Sequence, residues 1–394
     1  MKFMHPLPHR PYQPPRVVIA GGGPAAIEAL IALRALAEDL VTIELLAPEE
    51  SFIYRPLVVA EVFGLGEEHR FDLSTIAADH GAQLRRDGLA AVDADRHVLT
   101  TTSGDELGYD ALIVALGAQP HEAVPGAISF AGPADVRAVQ AAVAEAEEGK
   151  IDKLLFVAPG GVTWALPLYE LALMTVTRLR AAGSQAKVTL VTAEERPLGV
   201  FGRAASEHIT GLLAEAGIEL ITGEYPQAFE RGHLWVVPER SIHADRVIGL
   251  PVLEGPRLPG LPYDMHGFIP VNPYGAVTGV ADIYAAGDVS NFPLKQGGIA
   301  TQEADCVAEV LAARAGADLE PKPFRPVLRG MLLTGSEPAY MRAEVSGGRG
   351  DSVAGSGALW WPPSKIAGHY LSPYLALRHG LRLERHDAVT VGGG

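Results

Sequence analysis

Cysteine is nearly absent from this chain of 394 residues, which contains a single one, Cys306. No intramolecular disulfide can therefore form, which excludes both a secreted disulfide framework and a Cys-x-x-Cys redox pair. Basic residues are also few: 32 Lys and Arg stand against 47 Asp and Glu, and the formal net charge is -15. This balance argues against a nucleic-acid partner, because phosphate binding needs clustered Lys and Arg.

Long apolar runs are missing as well. The chain nowhere has the roughly 18 consecutive apolar residues that a membrane-spanning helix requires. Residues 1–16 are rich in Pro and His and lack the apolar core of a signal peptide. We therefore expect a cytoplasmic protein with no transmembrane segment. The histidines also lack the spacing of a metal site such as His-Glu-x-x-His, so no metal is predicted.

The amino-terminal part has the pattern of a strand–helix–strand unit. Residues 16–20 are an apolar, β-branched run, residues 25–40 carry apolar side chains at helical spacing, and residues 41–46 are a second apolar run. These segments predict a βαβ unit with a right-handed crossover. The same pattern recurs over residues 153–191, which predicts a second Rossmann-like unit.

A glycine-rich turn, Gly21-x-Gly23-x-x-Ala26, connects the first strand to the first helix. The first glycine permits a tight turn, the second lets the backbone approach a pyrophosphate, and the small alanine lets helix and strand pack. The helix then begins around Pro24 and Ala25, where free N–H groups and a partial positive charge favour phosphates. We therefore predict a dinucleotide site at this turn.

A ribose-binding acid is expected about 20 residues beyond such a turn, at the end of the second strand. That position falls at Ala47, so we predict that Glu49, just beyond it, takes this role. The turn of the second unit is a weaker match, because Ala158 and Thr163 stand where glycines are expected. Glu194 and Glu195, after the following strand, are either a ribose contact that would favour NADH over NADPH or a solvated loop end, and Arg196 leaves NADPH open as well. The sequence leaves NAD(P)H binding open.

Two further segments resemble motifs of two-dinucleotide-binding-domain flavoproteins, the pyridine nucleotide-disulfide oxidoreductase superfamily. Residues 278–288, Thr-Gly-Val-Ala-Asp-Ile-Tyr-Ala-Ala-Gly-Asp, resemble the segment that closes the FAD site, and residues 114–118, Val-Ala-Leu-Gly-Ala, resemble the middle strand motif. Together with the glycine-rich turn, three motifs stand in the order typical of that superfamily, and the resemblance covers most of residues 15–315. It implies non-covalently bound FAD, whose ribityl–pyrophosphate part Asp288 would contact.

The resemblance also identifies residues near the flavin ring. Lys295 and the helix that follows it would lie against the ring, and Lys295 is the predicted catalytic residue because reduced flavin gathers negative charge near its N1/C2 carbonyl. The loop Tyr54-Arg55-Pro56 would approach the ring from the first unit. The cofactor-binding residues implied in this way are Arg55, Pro56, Ala115, Gly117, Gly287, Asp288, Lys295, Gln296, Gly297 and Gly298.

Residues 166–170, Leu-Pro-Leu-Tyr-Glu, resemble the Gly-Pro-x-Tyr-Glu segment of sulfide:quinone oxidoreductases and flavocytochrome c sulfide dehydrogenases. Type II NADH:quinone dehydrogenases share the architecture. In the sulfide enzymes a cysteine shortly precedes this segment, whereas Trp164 stands there in this chain. Cys306 lies at helical spacing with Ile299 and Val310 and is predicted to be a packed residue. We therefore expect neither the persulfide mechanism nor disulfide-reductase chemistry.

Aromatic and apolar side chains are frequent in residues 359–377. Two interpretations stay open for this region. It could form a quinone pocket or contact the inner face of a membrane peripherally. It could instead pack as a cap over the flavin, which is the interpretation we favour. The number of subunits is not predicted by the sequence.

The whole sequence predicts an α/β protein with two Rossmann-like, three-layer ββα dinucleotide-binding domains and a carboxy-terminal cap. The predicted parts are a tail (1–14), an FAD-binding domain in two pieces (15–148 and 266–325), a second Rossmann-like domain (149–265) and the cap (326–394). The predicted function is an FAD-dependent oxidoreductase that passes electrons from NAD(P)H or another small donor through flavin N5 to a quinone or another small acceptor. The alternatives are a flavin-bearing redox sensor or scaffold, and a sulfide:quinone oxidoreductase-like enzyme with a non-cysteine mechanism.

Overall fold

The computed structural model describes residues 13–65, 69–238, 240–345 and 352–378. Most of the predicted tail lies outside the described residues, as do two segments of the predicted cap, 346–351 and 379–394. The boundaries proposed between the parts of the chain stay predictions.

The strands are β1 (Arg16–Ala20), β2 (Thr42–Leu46), β3 (Ser51–Ile53), β4 (Arg70–Asp72), β5 (Gln83–Arg85), β6 (Leu89–Asp93), β7 (Val98–Thr101), β8 (Glu106–Gly108), β9 (Ala111–Val114), β10 (Gln119–His121), β11 (Ile128–Ser129), β12 (Lys153–Ala158), β13 (Lys187–Thr192), β14 (Glu219–Thr222), β15 (Tyr225–Glu230), β16 (His233–Val237), β17 (Arg240–His243), β18 (Arg246–Gly249), β19 (Val252–Glu254), β20 (Ile283–Ala285), β21 (Val327–Leu332), β22 (Ala339–Glu344) and β23 (Ser352–Gly355). The helices are α1 (Pro24–Ala37), α2 (Val58–Glu61), α3 (Leu73–Asp79), α4 (Val136–Glu147), α5 (Leu166–Ala182), α6 (Arg203–Glu215), α7 (Gly297–Ala315) and α8 (Leu371–Arg378).

The first sheet is fully parallel, with the strand order β20-β9-β1-β2-β5. Alternate side chains of β1 point to opposite faces, as the period of a strand requires. Val17 and Ile19 pack with the helices α1 and α7, whereas Val18 and Ala20 pack with the antiparallel strands β6, β7 and β8. Helices, parallel sheet and antiparallel sheet therefore form three layers, and the predicted α/β fold class is confirmed.

The alternating sequence pattern of residues 83–108 predicts a small antiparallel meander, and the strand β5 corrects this prediction. Residues 83–85 instead pair in parallel with β2 and extend the first sheet. The meander contains only β6, β7 and β8. The short alternating pattern of β5 does not distinguish a parallel partner from an antiparallel one, because alternation indicates which side chains face the core and not which strand pairs with it.

The second sheet repeats this architecture, with the parallel order β11-β18-β12-β13-β14. Leu154 and Phe156 of β12 face the side that α5 covers, and Leu155 and Val157 face the antiparallel strands β15 and β16. A two-stranded antiparallel pair, β10 with β19, lies between the two units along the chain. Both predicted Rossmann-like units are thus present in the fold.

The sequence pattern from residue 326 onward is less regular than that of the two units and predicts little regular structure, but the structure shows strands and a helix there. The strands β21, β22 and β23 form an antiparallel sheet, and α8 packs against α1 through the buried Leu371 and Leu375. Gly330 interrupts the strand pattern in the sequence, yet a Cβ atom placed there would lie 2.5 Å from the ring of Phe201. The glycine is therefore required by a close contact with another part of the chain, which the local sequence does not reveal.

A buried pair of carboxyl groups connects α1, α7 and the start of α8. Glu28 of α1 is 0% exposed and accepts hydrogen bonds from the backbone N–H groups of Tyr370 (2.8 Å) and Leu371 (2.6 Å). Asp305 of α7 forms a side-chain hydrogen bond with Glu28. Burial, together with the negative charge of Glu28, raises the pKa of Asp305 to about 9. We infer that one proton is held between the two carboxyl groups at neutral pH.

This pair makes folding stability depend on pH. Because the pKa of Asp305 is raised in the folded chain, the native state binds this proton more tightly, and its contribution to stability falls as the pH rises towards about 9. Asp305→Asn keeps a donor for Glu28 and removes the titration. We expect the unfolding free energy of this variant, relative to the native chain, to increase between pH 5 and 9 by at most about 1.4 kcal/mol per pH unit.

Urea unfolding followed by circular dichroism measures this difference. The exposed residue Asp318 provides a matched control, since Asp318→Asn should leave the pH dependence unchanged. Parallel stability curves for Asp305→Asn and the native chain would contradict the assignment of the proton.

Candidate functional site

The first turn is short and closely packed. β1 ends at Ala20 and α1 begins at Pro24, so the turn consists of residues 21–23 alone. Gly21 has a φ of +131°, and a Cβ atom placed there would lie 2.2 Å from the carbonyl oxygen of Ala115 at the end of β9. A Cβ atom at Gly23 would meet nothing within 4 Å. The fold therefore requires glycine at position 21, whereas position 23 faces open space.

A cavity of about 470 Å³, here called the glycine cavity, opens at this edge of the first sheet. It lies at the carboxyl ends of parallel strands, where α/β proteins bind ligands. Twelve of the predicted cofactor-binding residues line it, namely Gly21, Gly23, Pro24, Ala25, Glu49, Arg55, Pro56, Ala115, Gly117, Gly287, Asp288 and Gly297. The structure thus brings together residues from three distant parts of the sequence.

Four predicted site residues lie outside the glycine cavity. Ala26 is fully buried within α1, in keeping with its predicted packing role. Gly298 is buried in the first turn of α7 and lines neither of the two cavities described here. Lys295 and Gln296 line a neighbouring cavity instead.

Glu49 is exposed but close to the turn, with a carboxylate oxygen 3.2 Å from the position of a Cβ at residue 22.

Gly287 brings the starts of α1 and α7 close together. Its φ is +83°, and a Cβ atom there would lie 3.0 Å from the Cβ of Ala25 and 3.3 Å from that of Ala300. The backbone N–H of Gly287 donates to the buried carboxylate of Glu303 (2.6 Å), which also accepts from the Ser290 hydroxyl (2.8 Å). Burial raises the pKa of Glu303 to about 7. Sequence analysis missed this supporting acid, because it lies inside a helix.

Lys295 is a buried cation at the edge of the site. Its side chain is 5% exposed, its ammonium group donates to the carbonyl of Ser290, and its Nζ lies 3.8 Å from the ring centroid of Phe268. Burial lowers the pKa of Lys295 to about 8, against the opposing effect of the Asp288 charge. Burial also raises the pKa of Asp288, while the positive charges of Lys295 and Arg55 lower it.

Gln296, the residue before α7, caps the amino-terminal end of this helix. The side chain of Gln296 accepts a hydrogen bond from the N–H of Ile299 (2.9 Å) and donates to the carbonyl of Arg329 (3.2 Å). This cap positions the first turn of α7, whose residue Gly297 lines both cavities. The partial positive charge of the helix start is thus directed at the same space as Lys295.

A second cavity of about 270 Å³, here called the central cavity, adjoins the first. The two cavities share Arg55, Pro56, Ala118, Asp288 and Gly297. Besides Lys295 and Gln296, the second unit and the carboxy-terminal region supply lining residues, and the polar or aromatic ones among them include Thr163, Trp164, Glu170, Arg329 and Lys365. Sequence analysis identified Glu170 only as part of a motif and missed Arg329 and Lys365, because the sequence pattern beyond residue 326 gives no regular elements on which to place them.

Glu170 and Lys365 form a buried ion pair in the wall of the central cavity. The ammonium group of Lys365 lies 2.6 and 2.7 Å from the two carboxylate oxygens, and the side chains are 7% (Lys365) and 0% (Glu170) exposed. The backbone N–H of Leu333 donates to the same carboxylate at 2.8 Å. Burial raises the pKa of Glu170, and the charge of Lys365 opposes this rise. A basic residue within an aromatic and apolar stretch was the available sequence signal for Lys365.

The turn of the second unit differs from the first. Between Ala158, the last residue of β12, and Leu166, the first of α5, lie seven residues (159–165), compared with three (21–23) in the first unit. Three residues of this longer turn, Val162, Thr163 and Trp164, line the central cavity. The second turn therefore contributes to the wall of the central cavity, and its helix begins farther along the chain than the pyrophosphate pattern requires.

Glu194 makes contacts within the protein. Its carboxylate accepts hydrogen bonds from the hydroxyl groups of Tyr169 (2.6 Å) and Thr192 (3.1 Å). Burial raises the pKa of Glu194, and these hydrogen bonds lower it. The carboxylate expected to contact an adenosine ribose is therefore already bonded to two neighbouring side chains.

Cys306 lies on α7 and lines neither cavity. Its side chain is buried, with the thiol 3.2 Å from the carbonyl oxygen of Lys322, and burial raises its pKa to about 11. These surroundings are those of a packed residue. Within the described ranges, no helix has both the length and the apolar character needed to cross a membrane.

Comparison with known proteins identifies relatives in sequence. A family profile described as "Pyridine nucleotide-disulphide oxidoreductase" matches residues 15–304, which is more than half of the chain. A sulfide-quinone reductase of Aquifex aeolicus (strain VF5) is 27% identical over 246 residues, which cover 58% of this chain and 54% of that protein. By this alignment the chain spans about half the length of its curated relative.

Solved structures share the fold. The sulfide:quinone oxidoreductase from Aquifex aeolicus has a TM-score of 0.76 at 19% identity, covering 96% of this chain and 99% of that one. A ferredoxin reductase from Rhodopseudomonas palustris has a TM-score of 0.66 at 18% identity, covering 84% and 83%. An NAD-dependent persulfide reductase from A. fulgidus has a TM-score of 0.62 at 17% identity, covering 84% and 64%. At such low identities these likenesses establish the fold alone.

The two glycines of the first turn should differ in their effect on stability. Gly21→Ala forces a Cβ against the carbonyl of Ala115 at a positive φ, and we expect it to lower the unfolding free energy by about 2–4 kcal/mol. Gly23→Ala places its Cβ in open space and should cost no more than about 1 kcal/mol. Thermal and urea unfolding of both variants measure the difference, and equal losses would show that the turn is not packed as described.

Proposed function

The chain belongs to the pyridine nucleotide-disulphide oxidoreductase family, and from that premise we propose that it binds FAD non-covalently and acts as an oxidoreductase without a redox disulfide. The observation that carries this proposal is the glycine cavity. The turn at Gly21 and the segment at Gly287 and Asp288, far apart in sequence, line this one cavity. Gly23 leaves a space there that a Cβ would fill, which suits the close approach of a pyrophosphate.

Each part of the cavity would have its own role in binding. Gly23 and the start of α1 would hold the pyrophosphate, because unpaired N–H groups and the helix dipole favour negative charge. Glu49 would contact the ribose, and Asp288 the ribityl chain. When bound, FAD supplies two-electron transfer through its N5 atom. Lys295 and the start of α7 would stabilise negative charge on the ring, which makes Lys295 the proposed catalytic residue.

We propose that the electron donor is a small molecule that enters the central cavity directly. This cavity adjoins the glycine cavity and shares Asp288 and Gly297 with it. NAD(P)H bound at the second unit has less support, because the second turn is seven residues long (159–165) and Glu194 is bonded to Tyr169 and Thr192. For the acceptor we propose a quinone or another small molecule; the curated relative named as a sulfide-quinone reductase supports a quinone.

A flavin-bearing redox sensor is the second candidate function. The occupied carboxylate of Glu194 favours it, since a chain that binds no nicotinamide nucleotide lacks the usual source of electrons for turnover. The two candidates differ in whether a small donor reduces the flavin rapidly.

The purified protein should be yellow and contain FAD. Gly23→Ala places a methyl group where the pyrophosphate would lie, and we expect at least a tenfold loss of FAD affinity, about 1.4 kcal/mol, in a chain that still folds. Visible absorbance and release of FAD after denaturation measure the content. A colourless native protein that takes up no FAD would refute the proposal, as would unchanged FAD affinity in Gly23→Ala.

The same yellow preparation separates the enzyme from the sensor. Anaerobic mixing with NADH, NADPH or sulfide, followed by flavin bleaching, reports the donor. Rapid bleaching by a nicotinamide would overturn the preference for a direct small donor, and bleaching by sulfide would overturn the argument from the missing cysteines. Slow bleaching with all three directs the search to other small molecules or to the sensor.

Lys295 should influence the flavin potential in a pH-dependent way. Lys295→Met removes a positive charge, so we expect the two-electron midpoint potential at pH 7 to fall by about 30 mV, equal to about 1.4 kcal/mol. Because the pKa of Lys295 is lowered to about 8, the native side chain is charged below that pH and loses its charge above it. The difference between variant and native protein should therefore shrink above pH 8.

Spectroelectrochemical titration at several pH values measures these potentials. The exposed residue Lys322 supplies the control, because Lys322→Met removes a charge that lines neither cavity. A constant difference across this pH range would contradict the role of the Lys295 charge.

A further inference from the structure

The central cavity has an excess of positive charge. Its charged lining residues are four cations, Arg55, Lys295, Arg329 and Lys365, and two acids, Glu170 and Asp288. This local excess contrasts with the net charge of -15 for the whole chain. The Lys365 ammonium group lies 2.6 and 2.7 Å from the two carboxylate oxygens of Glu170, so these two charges offset each other. The three other cations of the lining therefore outnumber the one other acid, Asp288. A cavity with this balance attracts an anion.

Among the four cations of the central cavity, Arg329 is the one whose positive charge is least balanced by nearby acidic side chains. It lies on β21 directly opposite Arg342 of β22, and like charges in opposite positions destabilise a sheet. Among the described residues, no carboxylate oxygen lies within 4.0 Å of its guanidinium group. Partial burial and the charge of Arg342 lower the pKa of Arg329. A partly buried, unpaired guanidinium is costly for folding, which points to a ligand that pairs with it.

The position of Arg329 separates it from the proposed cofactor site. It lines the central cavity and is not among the residues of the glycine cavity, so its charge is not directed at a pyrophosphate there. The same cavity is also lined by apolar and aromatic side chains, among them Phe130, Trp164 and Met331. An anion with an apolar body matches this wall better than an inorganic ion does.

We propose that the central cavity binds a small organic carboxylate, with its carboxylate on Arg329 and its apolar part against Trp164 and Met331. A planar guanidinium presents parallel N–H groups that match both oxygens of a carboxylate. The volume of about 270 Å³ is below that of most drug-sized sites, roughly 300–1,000 Å³, and restricts the ligand to a small molecule. The inference deepens the proposed function and rests on it: the cavity adjoins the proposed FAD site, so the carboxylate would be the substrate.

Isothermal titration calorimetry on the full chain as purified tests this proposal. The probes are butyrate and benzoate, with the neutral analogues butyramide and benzamide. We expect at least one carboxylate to bind more tightly than its amide. Arg329→Gln should raise the dissociation constant of that carboxylate at least tenfold and leave the amide unaffected. Arg325→Gln, at an exposed position that lines neither cavity, should change nothing.

Arg329→Lys keeps the charge and loses the paired donors, so an intermediate loss of affinity is expected. This variant also replaces Arg329→Gln if the latter does not fold, as judged by circular dichroism. Four results overturn the proposal: no binding of either carboxylate up to about 10 mM, equal binding of carboxylate and amide, equal competition by inorganic phosphate, and unchanged affinity in the folded Arg329 variants.

Failure of this inference can be distinguished from failure of the proposed function. The FAD content of each preparation is measured from its visible spectrum, independently of the binding heats. Carboxylate binding to a protein that takes up no FAD would refute the flavin proposal alone. A yellow protein that binds no carboxylate would refute the substrate class alone.

Discussion

The contact between Gly21 and the carbonyl oxygen of Ala115 is the constraint on which the rest of the site depends. A Cβ atom at Gly21 would lie only 2.2 Å from that oxygen, so no side chain fits at this position. The chain therefore turns from β1 into α1 within three residues (21–23). That tight turn directs the start of α1 over the carboxyl ends of the parallel strands. A Cβ atom at Gly287 would lie 3.0 Å from the Cβ of Ala25, so the glycine lets α7 begin beside α1. The two glycines therefore allow the amino-terminal ends of both helices to face the glycine cavity.

Buried carboxylates hold the remaining elements around this edge. Glu28 accepts the N–H groups of residues 370 and 371, Glu303 accepts that of residue 287, and Glu170 accepts that of residue 333. In each case an acid on a helix binds the backbone of a segment that lies elsewhere in the chain. The acids are almost fully buried, and burial raises the pKa of each one. An unpaired buried carboxylate would be very costly, so these hydrogen bonds specify where the segments at residues 287, 333 and 370–371 lie.

The turns of the two Rossmann-like units differ although their sheets correspond. In the first, a short turn leaves open space at Gly23. In the second, a seven-residue turn (159–165) lines the central cavity, and Glu194 is bonded to Tyr169 and Thr192. The same βαβ topology therefore supplies a candidate cofactor site in one unit and a cavity wall in the other. The fold alone does not distinguish these uses, because both depend on a few residues at the turn.

The sequence by itself determined the α/β class, both Rossmann-like units and twelve of the residues that line the glycine cavity. Strand periodicity and glycine spacing are local, and they can be recognised without knowing which segments meet. Only the tertiary structure decided the parallel pairing of β5, the sheet formed by β21, β22 and β23, and the positions of Glu170, Arg329 and Lys365 around one cavity. These features arise from contacts between residues far apart along the chain. The surroundings of a side chain such as Arg329 decide what it can bind, and local sequence patterns do not specify those surroundings.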